Sequence, residues 1–404
     1  MSLIKEKFLK LGAEFAPGQE VRQDTSEIKL RGEKIPGTPV DFSHGDVDAF
    51  EPIPGSLDRF IDGVHVGGKQ AYTEYRGSKL IRENVAEKLS KFTGTTINAE
   101  RNFIITPGTQ GALFLAMGSV ISRGDKVAIV VPDYFANRKL VEFFDGEVIP
   151  IEMDYLTANT NAGLNLNQLE SAFKAGVKLF LFSNPNNPTG VIYSPEEIGS
   201  IAELAQQYEA TVIVDQLYSR QLFEGRTYTH LSAQNLMDPE NVITIMGPSK
   251  TESLSGYRLG VAFGSSQIIE RMEKLQAIVS LRAAGYSQAV LKSWFDEPAG
   301  WMEKRISDHQ AIRDDLIAKF RGSEGFQVRV TEAGSYLFPK LPKLDVTIGE
   351  FVKILRVQAN VTVTPGSEFG PQFTDSFRIN FSQDHQAAVT AIERLIRIVE
   401  VYRK

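Results

Sequence analysis

The strongest constraint on the fold is a series of short, almost wholly apolar runs in the middle of the chain, separated by helical patterns. Such runs are typical of parallel strands buried on both faces, because helices cover both sides of that kind of sheet. A capping Ser194 followed by Pro195 and two glutamates marks one helix start. This alternation predicts an α/β domain with a mostly parallel sheet. The predicted strands are Phe103–Thr106, Lys126–Val131, Lys178–Phe182, Thr211–Val214, Val242–Met246 and Leu259–Gly264.

The two ends of the chain differ from this middle part. Residues 1–55 are rich in Gly and Pro, and from about Arg329 the pattern is that of a smaller α+β unit. Because 404 residues are too many for one small core, we expect an N-terminal arm (1–55) packed with a small domain (301–404), and a large domain (56–300). The small-domain elements expected are strands Tyr336–Pro339, Val361–Thr364 and Phe377–Phe381, helix Thr347–Val357 and a closing helix from Asp384.

Composition argues against several classes of function. The net charge of −6, without any block of basic residues, argues against a nucleic-acid partner. The absence of cysteine excludes disulfides and thiolate chemistry, and five scattered histidines give no support for a metal site. The apolar runs are too short to cross a bilayer, and the N-terminus lacks the apolar stretch of a signal peptide. We therefore expect a cytoplasmic protein with no membrane partner.

Polar side chains follow successive predicted strands at the point where each strand ends. Asn187 lies in Asn-Pro-Asn-Asn-Pro-Thr-Gly (residues 184–190), Asp215 ends the next strand, Tyr218 follows it, and Lys250 follows a third strand. In an open α/β sheet, ligands bind beyond the carboxyl ends of the strands. The sequence therefore predicts that these four side chains converge on one crevice.

A glycine-rich turn, residues 106–112, precedes them and begins a helical stretch. Free amide groups at a helix N-terminus bind phosphate, and the guanidinium of Arg258 can grip the same group. The expected ligand thus carries a phosphate, a group that Asp215 pairs with and a group that Lys250 attacks. Pyridoxal 5′-phosphate has all three.

With these residues in view, the chain resembles the class I and II aminotransferases of pyridoxal-phosphate fold type I, from about Asp41 to the C-terminus. The resemblance implies a large domain with a mostly parallel, seven-stranded sheet and a smaller α+β domain. Order and spacing match for a set of motifs: Tyr72-x4-Gly77-x4-Arg82, Gly108-Thr-Gln, Pro132-Asp-Tyr134, Asn-Pro-Asn-Asn187-Pro-Thr-Gly, Asp215-x2-Tyr218, Ser249-Lys250-x7-Arg258-x-Gly260 and Pro365-Gly-x11-Arg378.

The resemblance also implies a role for each matching residue. Lys250 would be the catalytic residue, holding the cofactor as a Schiff base and moving the substrate α-proton. Asp215 would keep the pyridine nitrogen protonated, which makes the ring an electron sink. The remaining roles are hydrogen bonds to the ring from Asn187 and Tyr218, stacking by Tyr134, phosphate binding by Gly108, Thr109, Gln110, Ser249, Arg258 and the partner subunit's Tyr72, and α-carboxylate binding by Arg378, Asn187 and the backbone near Gly45.

The chain departs from the family pattern at four positions. Val47 stands where Pro is common, Gln216 where Glu is common, Gly247 where many members have a phosphate-binding Ser, and Glu252 where Phe is frequent. None of these changes removes a catalytic group, but Gly247 would leave the phosphate site with one donor fewer.

Assembly and reaction type follow from the same resemblance. Tyr72 and residues 280–288 make sense only if they complete a neighbour's site, which predicts a homodimer. Arg282, one residue away from the family position, either binds the distal carboxylate of a dicarboxylic substrate or is structural. We expect transfer of the amino group of an L-amino acid to a 2-oxo acid. A C–S β-lyase, a decarboxylase, a cyclopropane-forming synthase and a pyridoxal-phosphate-binding regulator are the alternatives.

Overall fold

The computed structural model describes residues 2–12, 16–45, 47–158 and 160–404. The strands are β1 (Val40–Asp41), β2 (Phe103–Pro107), β3 (Lys126–Val131), β4 (Glu147–Glu152), β5 (Leu179–Ser183), β6 (Thr211–Asp215), β7 (Val242–Met246), β8 (Leu259–Gly264), β9 (Tyr336–Leu337), β10 (Val361–Thr362), β11 (Thr364–Pro365) and β12 (Phe377–Asn380). The α-helices are α1 (Leu3–Leu11), α2 (Ser56–Val66), α3 (Gly68–Ala71), α4 (Lys79–Thr93), α5 (Gly108–Val120), α6 (Phe135–Phe143), α7 (Leu166–Lys174), α8 (Pro195–Gln207), α9 (Ser266–Val279), α10 (Gly285–Gln288), α11 (Trp301–Arg321), α12 (Ile348–Ala359) and α13 (His385–Tyr402).

The central sheet has seven strands in the order β2-β8-β7-β6-β5-β3-β4. All neighbours pair in parallel except β8, which is antiparallel to both β2 and β7. The predicted α/β class with a mostly parallel seven-stranded sheet is therefore confirmed. Three predicted strands, β3, β7 and β8, have the observed limits, and three others differ by one residue at one or both ends. Strand β4 was missed because it is a half-exposed edge strand interrupted by Pro150, which a sheet tolerates only at its edge.

Helix starts follow their capping residues. The Ser194 side chain accepts from the Glu197 amide, and Glu197 returns a bond to the Ser194 amide, so the predicted start of α8 has a complete capping box. Thr347 caps α12 in the same way. The helix predicted to start at Thr347 therefore begins one residue later, at Ile348, with Thr347 as its N-cap. Near the C-terminus, β11, β12 and β9 form a three-stranded antiparallel sheet.

The N-terminal arm packs with the C-terminal part of the chain. Strand β1 pairs in parallel with β10, with Val40 opposite Val361. Val40 and Phe42 share one hydrophobic cluster with α11, α12 and α13, while the central sheet packs in other clusters. The domain boundaries at residues 55 and 300 stay a prediction. Within the described ranges, every helix is too short or too polar to cross a membrane.

The sheet register brings the expected functional residues to one edge. Ser183, at the end of β5, lies opposite Asp215 at the end of β6, and Asp215 lies opposite Ile245 in β7. The segments that follow these three strands contain Asn187, Tyr218 and Lys250. Parallel strand direction thus places all three at the carboxyl edge of the sheet, as the sequence predicts.

Candidate active site

A cavity of about 230 Å³ lies at this carboxyl edge. The residues that line it come from five strand ends, the N-terminal arm and the C-terminal sheet. Ten of the predicted site residues line it: Thr109, Gln110, Tyr134, Asn187, Asp215, Tyr218, Ser249, Lys250, Arg258 and Arg378. Gly108 begins helix α5 beside it. Gly45 lines an adjoining outer cavity of about 960 Å³, and Asp46, in the same segment, lies outside the described residues.

Asp215 is a buried carboxylate at the floor of the cavity. Its Oδ1 accepts a hydrogen bond from the Leu217 amide across 3.0 Å, and no described cation forms an ion pair with it. Burial raises the pKa of Asp215 to about 6, because the charged form is removed from water without a compensating positive charge. A protonated ring nitrogen above this carboxylate would supply the missing partner.

The expected phosphate site lies where helix α5 begins. Gly108 has φ of +77°, and a Cβ built on it would lie 2.5 Å from Nη2 of Arg258. A residue with a side chain would therefore be strained there and would displace the arginine. The free amides of the first helical turn and the exposed Arg258 guanidinium face the same space, an arrangement that suits a phosphate dianion.

Gly247 explains one departure from the family pattern. A Cβ at this position would lie 2.8 Å from Cγ2 of Thr109 and 3.2 Å from the Leu259 carbonyl oxygen. The Thr109 methyl group thus occupies the space where a serine side chain would have to begin. The structure therefore leaves no room at Gly247 for an additional phosphate donor.

Arg378, on β12, is buried and points into the cavity beside Asn187. Its Nη1 donates to Oδ1 of Asn187 across 3.1 Å, and its Nη2 donates to the Ser43 carbonyl oxygen across 2.7 Å. Its Nε has no hydrogen-bond partner, and no described carboxylate forms an ion pair with it. Among the described residues Arg378 therefore has no carboxylate partner, and its predicted role in binding a substrate carboxylate stays a prediction.

A second buried carboxylate, that of Asp133, holds the loop that carries Asn187 in place through Ser183. Asp133 accepts from the Ser183 hydroxyl across 2.5 Å and from the Ser183 amide across 2.9 Å. The same hydroxyl oxygen accepts from the Asn187 amide across 3.1 Å. Burial raises the pKa of Asp133 to about 8, with the nearby charge of Asp215 adding to the effect.

Two tyrosines take part in hydrogen bonds across the cavity. The Tyr218 hydroxyl donates to the Tyr336 hydroxyl across 2.8 Å, and the Tyr134 hydroxyl donates to Oε1 of Gln110 across 3.0 Å. The Arg378 guanidinium lies 4.5 Å from the centre of the Tyr336 ring. Tyr336 thus lines the cavity, although the sequence analysis gave it only as the start of a strand.

Lys250 lies between the two cavities and lines both of them, as does His44. The imidazole of His44 is 3.5 Å from the Asp41 carboxylate, which raises the pKa of His44 to about 9. Sequence reasoning did not include His44, Ser43 or Pro17 among the site residues. All three lie on the N-terminal arm, and their position depends on its packing against the C-terminal sheet, which no local motif encodes.

Two predicted residues do not reach this cavity. Tyr72 is 82% exposed, and the Arg282 guanidinium lies 5.8 Å from the centre of its ring. Neither side chain lines the cavity of its own chain. They lie together on the surface, and the Arg282 Nε is buried without a hydrogen-bond partner.

The residues present fit pyridoxal phosphate on structural grounds. The buried Asp215 lacks a described cation, a side chain at residue 108 would displace Arg258 from the start of α5, and Lys250 lines the same cavity as both. The described residues contain no group of three His, Asp or Glu side chains that could hold a metal ion.

Comparison with known proteins identifies the family of this chain. The family model for aminotransferase class I and II matches residues 41–395. The aspartate aminotransferase of Sulfolobus acidocaldarius is 28% identical over 92% of this chain and 91% of its own length. The crystal structure of an aspartate aminotransferase from Rhodobacter sphaeroides is 63% identical, with a TM-score of 0.94 over 99% of this chain and 100% of that one. An aromatic aminotransferase from Pyrococcus horikoshii, 22% identical with a TM-score of 0.82 over 90% of this chain and 96% of that one, shares the fold. The chain belongs to the class I and II aminotransferases.

Proposed function

We propose that this aminotransferase uses pyridoxal phosphate bound to Lys250, and transfers the amino group of an L-amino acid to a 2-oxo acid. The observation that carries the proposal is the convergence of Asp215, Lys250, Arg258 and Arg378 on one cavity. The Asp215 carboxylate matches a ring nitrogen, and the Lys250 amine matches a carbonyl. The guanidinium groups of Arg258 and Arg378 match a phosphate and a substrate carboxylate. The bound cofactor would supply an electron sink for the carbanion formed at the substrate α-carbon.

The chain's own residues would position the substrate and move its proton. Arg378, held by Asn187 and the Ser43 carbonyl, would bind the α-carboxylate as a bidentate pair. The Lys250 amine, at the junction of the two cavities, would take the α-proton and return it. Tyr218 would turn its hydroxyl proton to the ring oxygen and would then accept a hydrogen bond from the Tyr336 hydroxyl instead of donating one to it.

For the substrate, we propose a dicarboxylic amino acid such as aspartate or glutamate. Two of the three relatives named above are aspartate aminotransferases, and the one from Rhodobacter sphaeroides is similar over 99% of this chain. In this proposal Arg282 enters the partner subunit's cavity and pairs with the distal carboxylate. Its unpartnered Nε and its position beside Tyr72 support this role.

We also propose a homodimer with shared active sites. The surface around Tyr72 is unusually apolar, with exposed Leu57, Val66, Ile278 and Leu281. An exposed patch of this kind marks an interaction surface. If a second copy covers it, Tyr72 would reach the partner's phosphate site. A cytoplasmic location stays a prediction from the sequence.

A half-reaction tests the activity. We expect aspartate or glutamate to abolish the visible absorbance of the holoenzyme, and a 2-oxo acid to restore it. Borohydride reduction followed by peptide mapping should find the cofactor on Lys250. Elimination products or carbon dioxide without this spectral cycle would favour the β-lyase, synthase or decarboxylase alternatives, and cofactor binding without any turnover would favour a regulator.

A further inference from the structure

Two arginines with almost fully buried side chains hold the turn that carries Lys250, and neither lines the cofactor cavity. Arg305, on α11, donates from Nη1 to the Thr251 carbonyl oxygen across 2.9 Å and to Oγ of Ser253 across 2.7 Å. Arg220 donates from Nη1 to the carboxylate of Glu252. The turn is therefore held through Thr251 and Ser253 by one arginine and through the Glu252 carboxylate by the other.

Glu252 belongs to a buried cluster in which one arginine pairs with two glutamates. The other end of the Arg220 guanidinium donates to Glu297, and the Phe295 ring lies 3.9 Å from it. Burial raises the pKa of Glu252, while Arg220 opposes that change. Glu252 is only 1% exposed, so removing Arg220 would leave the Glu252 carboxylate in the protein interior without its hydrogen-bonded counter-charge.

This ion pair joins two segments that both contribute to the cavity. Arg220 follows Tyr218 by two residues, and the Gln221 amide donates to the Tyr218 carbonyl oxygen across 2.9 Å, which makes this a tight turn. Glu252 follows Lys250 by two residues, in a turn closed by the bond from the Ser253 amide to the Lys250 carbonyl oxygen. The paired register of β6 and β7 ends at Asp215 and Ile245, before either turn begins. Beyond that point, the Arg220–Glu252 pair ties the turns together.

We propose that Glu252 is a positioning residue for Lys250, acting through Arg220 to fix the Lys250 amine relative to the Tyr218 hydroxyl. An apolar side chain at position 252 would fill the same space but would leave the two turns unconnected. The inference rests on the proposed function, because it concerns the lysine that binds the cofactor. A misplacement on the order of 1 Å costs up to about a hundredfold in rate, so a tie of this kind affects catalysis as well as stability.

The test compares two variants that each remove one carboxylate from the same guanidinium, Glu252→Gln and Glu297→Gln, in the holoenzyme. Three quantities are measured: the pH midpoint of the visible absorbance of the Lys250-bound cofactor, kcat and KM separately, and the midpoint of thermal unfolding. The ionisable groups that share cavities with Lys250 are unchanged in both variants, among them Asp41, His44, Asp215, Tyr218, Arg258 and Arg378.

We expect Glu252→Gln to lower kcat by about tenfold or more, with KM changed by less than about threefold. The absorbance midpoint should fall by roughly half a unit, because the negative charge of Glu252, two residues from Lys250, is removed. Glu297→Gln should leave kcat and the midpoint close to wild type, although unfolding shifts in both variants. If Glu252→Gln does not fold, Arg220→Lys, which keeps the charge but cannot hold both carboxylates, should give the same loss of kcat with KM little changed.

Equal spectra and equal kcat values for the two glutamine variants, with only the unfolding temperature lowered, would overturn the inference and make the cluster purely structural. A wild-type protein without the visible band or without the half-reaction would instead overturn the proposed function. The wild-type measurement thus separates the two failures.

Discussion

Nη1 of Arg378 donates a hydrogen bond to Oδ1 of Asn187 across 3.1 Å, which joins the C-terminal antiparallel sheet to the loop that follows β5. The arginine is thereby pointed into the cavity before any substrate arrives. Its Nε, buried and without a partner, is the atom that gains most when a carboxylate binds.

The first prediction concerns this arginine. Arg378→Lys should raise KM for the amino acid by roughly a hundredfold, because the loss of a bidentate charged pair costs about 3 kcal/mol. The cofactor should still bind, since Arg378 faces the substrate side. Steady-state kinetics and cofactor titration measure the two effects. Arg313→Lys is the control, because Arg313 is also buried but donates to the Thr331 carbonyl oxygen outside the cavity. A comparable rise in KM for the control would contradict the assignment.

The second prediction is a pH dependence of stability in the cofactor-free protein. The pKa of Asp215 is about 6 when folded and about 3.9 when unfolded, so the folded state binds this proton more tightly. Its contribution to stability is therefore greatest below about pH 4 and is lost as pH rises through about 6. Asp215→Asn should make the cofactor-free protein more stable by at most about 3 kcal/mol at pH 7, and by almost nothing near pH 4. Urea unfolding at several pH values measures this difference.

The same variant should reverse its effect once the cofactor is added. Wild type gains a pyridinium–carboxylate pair, while Asp215→Asn does not, so the cofactor should stabilise wild type more and the variant should lose most of its activity. A stability difference that is independent of pH would show that Asp215 is ionised in the folded, cofactor-free protein without cost.

The third prediction tests the phosphate site. Gly108→Ala forces a Cβ to within 2.5 Å of Nη2 of Arg258 at a φ of +77°. We expect the strained backbone at residue 108 and the displaced Arg258 side chain to cost roughly 1–3 kcal/mol. Equilibrium dialysis should show this cost as a tenfold or greater loss of cofactor affinity. Gly199→Ala, in α8, is the matched control, because its Cβ meets only Leu236 at 3.9 Å. If both substitutions leave affinity unchanged, the phosphate does not bind at the start of α5.

The fourth prediction tests the shared active site by mixing inactive chains. If Tyr72 completes the partner's site, a hybrid of Lys250→Ala and Tyr72→Ala chains contains one intact site. Refolding the two together should therefore restore up to about a quarter of wild-type activity. The control mixture, Lys250→Ala with Asp215→Asn, should stay inactive, since both residues line the cavity of one chain. An active Tyr72→Ala parent, or no recovery in the first mixture, would contradict the proposal.

The fifth prediction concerns substrate choice. Arg282→Ala should reduce kcat/KM for aspartate and glutamate by tenfold or more and leave kcat/KM for alanine almost unchanged. The reason is that Arg282 would pair with the distal carboxylate, which alanine lacks. A panel of amino acids assayed with two 2-oxo acids measures this ratio. Equal losses on all substrates would make Arg282 a structural residue of the Tyr72 surface.

Much of the sheet and most of the site residues were predictable because their signals are local. Each buried strand is an apolar run, and Asn187, Asp215 and Lys250 follow strand ends directly in the sequence. The antiparallel direction of β8 was not predictable, because its residues read as an ordinary buried strand. The direction of β8 depends on its pairing with β2, and that pairing joins residues more than a hundred positions apart.

The parts of the site that sequence reasoning missed depend on contacts between distant segments. Pro17 and Ser43 line the cavity only because the N-terminal arm packs against the C-terminal sheet. The Arg220–Glu252 pair joins two turns that no motif connects. The reason for glycine at position 247 is also visible only in the three-dimensional structure, because the atom that a side chain there would contact too closely is the Thr109 methyl carbon.

The pairing of Val40 with Val361 determines the order in which the protein is assembled during synthesis. A ribosome releases the N-terminal arm first, and its strand partner emerges some three hundred residues later. The central sheet with Asp215 and Lys250 is complete by then, since domains fold as units while the chain grows. Asp215 and Lys250 would then be in place before Arg378 and Ser43 meet, so the part of the proposed site that faces the substrate would be the last to form.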